Sequence, residues 1–168
     1  LMFDHMKFIM SVAELNQYQN LRLSSEKQMF FEKMWVQRDP MPSSDKNYRI
    51  LEHLRRVNYA EQEYFYDGFR TEFSNPDKLH YLSFPKIFEL NDRYNDKGVV
   101  YIRHGQPDEV AFNVHQAIDT NESWLYYAGG AVQEKLMFHF LQGETQAGNN
   151  WRLVAFLPRS MMEARIHW

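Results

Sequence analysis

The sequence predicts an α+β fold, with about three helices in the amino-terminal half packed with an antiparallel sheet of four or five strands in the carboxyl-terminal half. Two observations lead to this prediction. Up to about residue 66, apolar residues recur every three or four positions, which is the period of an amphipathic helix. From Phe84 onward, short apolar runs are separated by segments rich in glycine and asparagine, which is typical of strands joined by turns.

The length of 168 residues suits one domain or two small ones. We expect a single domain over 1–168, mainly helical over 1–80 and mainly β over 84–168, and we expect it to be a piece of a longer protein.

Residues 4–22 form the first predicted helix, with an apolar stripe of Phe8, Ile9, Val12, Leu15 and Tyr18. The second spans residues 26–37. Ser24 or Ser25 is its predicted N-cap, because a serine hydroxyl accepts from an unpaired amide of the first turn. Asp39 precedes Pro40 and ends this helix, since a residue before proline leaves the helical region. Arg38 lies near the carbonyl end, where positive charge is favourable.

The third predicted helix is capped by Asp45 and runs to about Tyr66. Glu61 falls near the middle of its apolar stripe. A buried carboxylate is costly without a partner, so we expect an arginine or an amide beside it. Two interpretations stay open for Glu61: a structural pair, or an acid or base for catalysis whose pKa is shifted by burial.

Four strands are predicted in the second half, over residues 99–104, 124–127, 136–141 and 151–157. In the first of them, Val99, Tyr101 and Arg103 alternate with Val100, Ile102 and His104. Glycines 129 and 130 and the segment 142–150 separate the later strands, which favours antiparallel hairpins. A short helix is predicted from Ser160 to His167.

The composition excludes several classes of function. The chain has no cysteine, which excludes disulfides, zinc–thiolate sites and iron–sulfur clusters. A net charge of -3 argues against a general nucleic-acid binder. The apolar runs are too short for a membrane span. No metal-ligand spacing, nucleotide-binding loop or serine-hydrolase motif occurs, so we predict no metal and no cofactor.

The tripeptide Arg103-His104-Gly105 after a predicted strand resembles the signature of histidine phosphatases. This resemblance implies His104 as nucleophile, Arg103 as phosphate clamp, and Glu61 or Asp108 as proton carrier. The chain after Gly105 is too short for several strand–helix–strand crossovers at about 30 residues each. A phosphohydrolase is therefore the alternative function, not the leading one.

A second resemblance covers four separated blocks. They are residues 31–40 (FEKMWVQRDP), 55–60 (RRVNYA), 96–109 (DKGVVYIRHGQPDE) and 124–127 (WLYY). In this order the blocks resemble the GWxTD domain family, from about Leu21 to Leu157. Of the motif that names the family, only Asp96 remains. The resemblance implies a bacterial, extracytoplasmic protein of several domains, and it implies no catalytic residues because the family has no established activity.

The shared residues can be interpreted as architecture. Gly105 can take the left-handed turn that ends a strand, Pro107 fixes the next φ, and Asp108 can accept from amides two residues on. The residues predicted to have a structural or interaction role are Arg38, Asp39, Glu61, Gly98, Arg103, Gly105, Pro107, Asp108, Trp124 and Tyr126.

Both faces of the predicted sheet are apolar or aromatic, since Trp124 and Tyr126 alternate with Leu125 and Tyr127. One polar face is the norm for a sheet over a single helical layer. The amino-terminal helix, the closing helix or another protein must therefore cover the second face. We predict a non-enzymatic interaction or scaffold module of a bacterial extracytoplasmic assembly. Its partner is a protein or another domain of the parent chain, and a chain that covers itself is the open alternative.

Overall fold

The computed structural model describes residues 2–66, 91–115, 118–127, 135–142, 149–162, 165 and 168. The predicted turn at Gly129 and Gly130 and most of the segment 142–150 lie outside these residues. The described helices are α1 (Met2–Met6), α2 (Val12–Asn20), α3 (Ser24–Gln37), α4 (Tyr48–Glu63) and α5 (Asp96–His104). The strands are β1 (Glu109–His115), β2 (Ile118–Tyr127), β3 (Lys135–Gln142) and β4 (Trp151–Val154). Short 3-10 helices lie at Lys7–Ile9 and Arg159–Met161.

The four strands form one antiparallel sheet in the order β1-β2-β3-β4. Trp124 in the second strand lies opposite Val110 in the first and Phe138 in the third. This architecture confirms the predicted α+β fold, its antiparallel pairing and the strands near residues 124, 136 and 151. β1 was not predicted.

The predicted strand at Val99–His104 is wrong, because these residues belong to α5. Asn95 caps this helix by accepting from the amide of Gly98 at 3.1 Å, and Gly105 ends it with a φ of +87°. Val99, Val100 and Ile102 are all buried. A helix buried on several sides carries no clear period, so its sequence cannot be distinguished from that of a buried strand.

The helix boundaries also differ from the prediction. A 3-10 turn and Ser11 divide the first predicted helix, and Ser11 accepts from the amide of Glu14 as the cap of α2. Ser24 is the first residue of α3, not its cap. The cap of α4 is Asn47 in place of Asp45, with its Oδ1 accepting from Arg49 and Ile50.

The core forms in layers around α5. A helical cluster contains Met6, Met10, Leu15, Phe31, Met34 and Trp35. Val99 and Ile102 of α5 pack with Phe8, Val57, Ala60 and Tyr94. On its other side, Val100 packs with Trp124, Tyr126, Phe140 and Leu153 of the sheet. The helix is therefore the middle layer between the helical half and the sheet.

Among the described residues, the carboxyl-terminal segment of the chain covers the second face of the sheet. Leu157 and Met161 pack on Val154. The buried Arg165 donates from Nε to Ser123 Oγ at 2.8 Å and from Nη2 to the carbonyl of Ala111 at 3.1 Å. The predicted closing helix is a 3-10 turn at Arg159–Met161, and residues 163, 164, 166 and 167 lie outside the described part.

In the described part of the chain, no helix is both long enough and apolar enough to cross a membrane. The same residues contain no group of three or more acidic or histidine side chains placed to hold a metal ion.

Candidate functional site

An aromatic cleft lies where the helical half meets the first strand of the sheet. Its volume is about 250 Å³. The described residues that line it are Tyr59, Tyr64, Tyr101, Gln106, Pro107, Val110, Glu122 and Trp124. We call this site the aromatic cleft.

Three structural elements bring the rings of the aromatic cleft together. Tyr59 lies on α4 and Tyr64 follows the end of that helix, while Tyr101 lies on α5 and Trp124 on β2. The rings of Tyr59 and Tyr101 stack at 4.6 Å between centroids. Tyr64 is 5.6 Å from Tyr101 and 5.9 Å from Trp124. The four rings therefore form one continuous aromatic wall.

An ion pair between Lys97 and Glu122 holds the carboxylate of Glu122 in place at the cleft. Lys97 Nζ donates to Glu122 Oε2 at 2.7 Å, and Trp124 Nε1 donates to Glu122 Oε1 at 2.5 Å. Lys97 Nζ also lies 3.2 Å from the ring centroid of Trp151. Burial lowers the pKa of Lys97, and the hydrogen bond and charge of Glu122 oppose that effect. Of the described residues that line the cleft, Glu122 is the only charged one.

The hydroxyls of the three cleft tyrosines are not used by the described part of the fold. Those of Tyr59, Tyr64 and Tyr101 make no hydrogen bond to any described residue. Burial raises the pKa of Tyr64 and of Tyr101, so both phenols remain protonated at neutral pH. Each is therefore a neutral donor or acceptor at the edge of an aromatic surface.

The first strand continues the cleft along the edge of the sheet. β1 is one of the two edge strands of the described sheet, and β4 is the other. Its residues Val110 and Phe112 pair with Trp124 and Glu122, so they lie on the same face as the cleft. Val110 is 48% exposed and Phe112 is 65% exposed. An edge strand with exposed apolar side chains is a template for pairing with another chain.

Arg103 and His104, the residues of the phosphatase signature, lie in different surroundings. Arg103 is exposed, and its Nη1 is 3.5 Å from the carbonyl of Phe8. The His104 ring packs against Tyr126 at 5.5 Å and Phe138 at 5.2 Å. Burial lowers the pKa of His104 to about 4, and the charges of Arg103 and Arg56 add to this effect. Consecutive residues of a helix diverge by about 100°, so the two side chains leave α5 in different directions.

Glu61 has the arginine partner that its position predicted. Arg93 donates to Glu61 Oε2 from Nε at 3.0 Å and from Nη2 at 2.7 Å, and the hydroxyl of the buried Tyr94 donates to Oε1. Burial alone would raise the pKa of Glu61, but the hydrogen bonds from Tyr94 and Arg93 outweigh it and hold the pKa below its ordinary value. Arg93 is half-exposed, so this ion pair lies near the surface.

Gly105 and Asp108 hold the turn between α5 and β1. The carbonyl of Gly105 accepts from the hydroxyl of Tyr126 at 2.9 Å. Asp108 accepts from the amide of Tyr127 at 2.7 Å, so the predicted bond to an amide two residues on is wrong. Pro107, in the same turn, lines the aromatic cleft.

Arg38 and Asp39 have local structural roles at the end of α3. Arg38 donates to Glu14 at 2.8 Å and to the carbonyl of Met34 at 3.4 Å. Asp39 accepts from the amide of Met41 at 2.9 Å. Both residues are on the helical side of the protein and do not line the cleft.

Sequence reasoning found Trp124 and Pro107 but missed most of the cleft. Tyr59, Tyr64 and Tyr101 were assigned to predicted elements without a shared site, and Lys97 and Glu122 are 25 positions apart. The sequence does contain one signal for β1. The apolar residues Val110, Phe112 and Val114 stand at every second position, which is the period of a strand.

The fold and the site define an α+β domain with an aromatic cleft at the edge of its sheet. Comparisons of the chain with protein-family models, curated proteins and solved structures gave no match. The resemblance to the GWxTD family therefore stays a prediction.

Proposed function

We propose that this chain is a non-enzymatic protein-interaction module. It docks an extended segment of a partner protein along β1 and into the aromatic cleft. The observation that carries the proposal is the opening of this cleft directly beside an edge strand with exposed apolar side chains.

The size of the cleft supports a peptide as its occupant. Pockets for whole small molecules and cofactors have volumes of about 300–1,000 Å³. The aromatic cleft, at about 250 Å³, is smaller than that range. It suits one or two side chains that project from a segment bound outside it.

The edge strand supplies the backbone part of this recognition. An extended peptide that joins an exposed edge forms main-chain hydrogen bonds, and every second side chain faces the same side of the sheet. Val110 and Phe112 face the side on which the cleft opens. Tyrosine and tryptophan are also the residues that contribute most energy to protein interfaces.

The setting of the interaction comes from the sequence resemblance alone. The GWxTD family implies a bacterial extracytoplasmic assembly, in which the chain acts as a scaffold beside other proteins or other domains of its parent chain. The proposal commits to a separate partner protein, and a second copy of this chain on the same edge is an outcome of the test below.

The proposal is tested with phage-displayed random peptides selected against the folded chain. The affinity of enriched peptides is then measured by calorimetry for Tyr59→Ala and Phe112→Asp. Matched controls are Tyr48→Ala, because Tyr48 is 47% exposed on the same helix as Tyr59 (41%), and Phe156→Asp, because Phe156 is 60% exposed. We expect about a tenfold or greater loss for the cleft and edge variants, and near-unchanged affinity for the controls.

Hydrogen exchange gives a second readout, since strand addition should slow the exchange of edge amides in β1. Failure to enrich any peptide, or enriched peptides that bind the Tyr59 and Phe112 variants normally, would contradict the proposal. Self-association that Phe112→Asp abolishes would identify a second copy as the occupant and would also contradict it.

A further inference from the structure

We infer that the segment recognised by the aromatic cleft is basic, with a lysine or arginine side chain lying against the rings of Tyr59, Tyr64, Tyr101 and Trp124. This inference rests on the proposed function and adds the chemical class of the partner segment.

The acidic composition of the sequence that contains β1 and β2 favours a cation. Residues 104–134 contain no lysine or arginine and five acids, Asp108, Glu109, Asp119, Glu122 and Glu134. In the described part, Asp108 is exposed just before β1 and Glu122 lines the cleft, while the exposed Glu109 pairs with Leu125 and lies on the other face of the sheet. A partner of complementary charge is attracted to such a surface and is oriented by it.

The aromatic wall provides a specific site for that charge. A cation within about 6 Å of a tyrosine or tryptophan ring centroid is attracted to the face of the ring. Four rings and one carboxylate converge on the cleft. Because the phenols of Tyr64 and Tyr101 stay protonated, the rings attract a cation through their electron distribution and not through a full negative charge.

A lysine of this chain already uses the same chemistry next to the cleft. Lys97 Nζ lies over the ring of Trp151 and is paired with Glu122. Its ammonium is 6.0 Å from the centroid of Trp124, compared with 3.2 Å from that of Trp151. Lys97 therefore offsets part of the Glu122 charge, and the exposed Asp108, next to the cleft residue Pro107, leaves negative charge near the opening.

The sharpest probe is a pair of small molecules with the same shape and different charge. Choline carries a quaternary ammonium, and 3,3-dimethyl-1-butanol is its neutral isostere. Binding is followed in solution by the NMR shifts of the Trp124 indole N–H and of the Tyr101 amide. We expect saturable binding of choline, and binding of the neutral alcohol that is about tenfold weaker.

Variants assign the binding to the rings and the carboxylate. We expect Tyr101→Phe to retain choline binding, because the ring face remains, and Tyr101→Leu to weaken it about tenfold. Glu122→Gln should weaken it several-fold, and Tyr48→Leu is the control that should leave it unchanged. Melting temperatures of all variants show whether the fold is intact.

Equal binding of the two isosteres, or unchanged binding by Tyr101→Leu, would overturn the inference. Failure of the inference is distinguishable from failure of the proposed function. Phage-selected peptides that need Tyr59 and Phe112 but are not enriched in lysine or arginine would overturn the inference and leave the docking function standing. Choline binding without any selected peptide would overturn the docking function alone.

Discussion

Gly105 has backbone torsions that only glycine adopts readily, with φ +87° and ψ -157°. The guanidinium of Arg56 lies against it and is anchored on both sides. Its Nε donates to Glu52 at 2.8 Å, and its Nη1 donates to the carbonyl of Arg103 at 3.1 Å. A Cβ at position 105 would lie 2.8 Å from Arg56 Nη2. Both the torsions and the space therefore require glycine.

We predict that Gly105→Ala lowers the free energy of unfolding by about 1–3 kcal/mol. Gly105→Asn should cost as much, because asparagine tolerates the ordinary left-handed region but not this one. Urea unfolding measures both values. In the double variant Arg56→Ala/Gly105→Ala, most of the loss due to Gly105→Ala should persist, since the torsions remain unfavourable. A loss below about 0.5 kcal/mol for Gly105→Ala would show that this turn relaxes at no cost.

Glu61 shows what a single sequence position can and cannot predict. A carboxylate in an apolar stripe predicted an arginine or an amide as its partner, and Arg93 confirms the arginine. The identity of that partner was not predictable, because residue 93 is 32 positions away and no sequence pattern links the two. Since Arg93 is half-exposed, the ion pair itself contributes only about 0–1 kcal/mol. The hydrogen bond from buried Tyr94 adds to it.

Helix α5 illustrates the same limit at the scale of an element. Its flanks carried a helix signal, because Asn95 and Gly105 are typical cap residues ten positions apart. Its interior did not, because Val99 and Ile102 face the helical core while Val100 faces the sheet. The amphipathic α4 and the hairpin strands β2 and β3 were predictable because each shows the period of its element.

Gly98 lets α5 approach its neighbours closely. A Cβ at this position would lie 2.8 Å from the Cβ atoms of both Tyr64 and Tyr94. Those atoms are next to the backbone and cannot move as the end of a flexible side chain can. The backbone amide of Tyr66 also donates to the carbonyl of Arg93, and that of Asn95 to the carbonyl of Tyr64, which holds the two segments together.

We predict that Gly98→Ala destabilises the protein by about 1–3 kcal/mol through overpacking. Helix propensity alone predicts the opposite sign, a gain of up to about 1 kcal/mol. Chemical denaturation of Gly98→Ala distinguishes the two effects. Asn58→Ala, on the exposed side of α4, is the control in which only propensity acts, and it should be neutral or slightly stabilising. A stabilised Gly98→Ala protein would mean that the two tyrosines can move aside.

At the scale of the whole molecule, the chain itself covers part of the apolar surface of its sheet. The sequence predicted that an apolar second sheet face must be covered, and left open whether by this chain or another. Among the described residues, this second face is covered by Leu157, Met161 and Arg165. This contact joins the end of the chain to strands 40 or more positions earlier, and local periodicity carries no information about it. Val110 and Phe112 of β1 stay exposed.

Three half-buried or buried histidines make the stability of the whole fold depend on pH. Burial lowers the pKa of His53 to about 4, with repulsion from His5, Arg49 and Arg56 adding to the shift. His104 has a pKa of about 4 for the same main reason. Burial and then Arg165 lower the pKa of His139, whose Nδ1 is 2.6 Å from Ser123 Oγ. In the folded protein His53 and His104 are therefore neutral at pH 5 and above.

The sign of the pH effect follows from the unfolded state. An unfolded histidine binds a proton below its ordinary pKa of 6.5, and the folded His53 and His104 do so only near 4. Stability is therefore full above pH 6.5 and is lost as the pH falls toward 4. We expect a loss of about 1–2 kcal/mol per histidine between pH 6.5 and pH 5. Glu61 acts mainly at lower pH, because the hydrogen bonds from Tyr94 and Arg93 hold the pKa of its carboxyl below the ordinary value.

Urea unfolding at pH 7, 6 and 5 measures the slope. His104→Phe keeps an aromatic ring between Tyr126 and Phe138 and removes one titrating group, so its free energy of unfolding should fall less steeply with pH than that of the wild type. His53→Phe should flatten the slope in the same way, and the two effects should add because the residues titrate separately. Tyr48→Phe, which removes no histidine, should keep the wild-type slope. If the free energy of unfolding falls equally steeply with pH in all four proteins, other titrating groups cause the loss, and burial of these histidines does not.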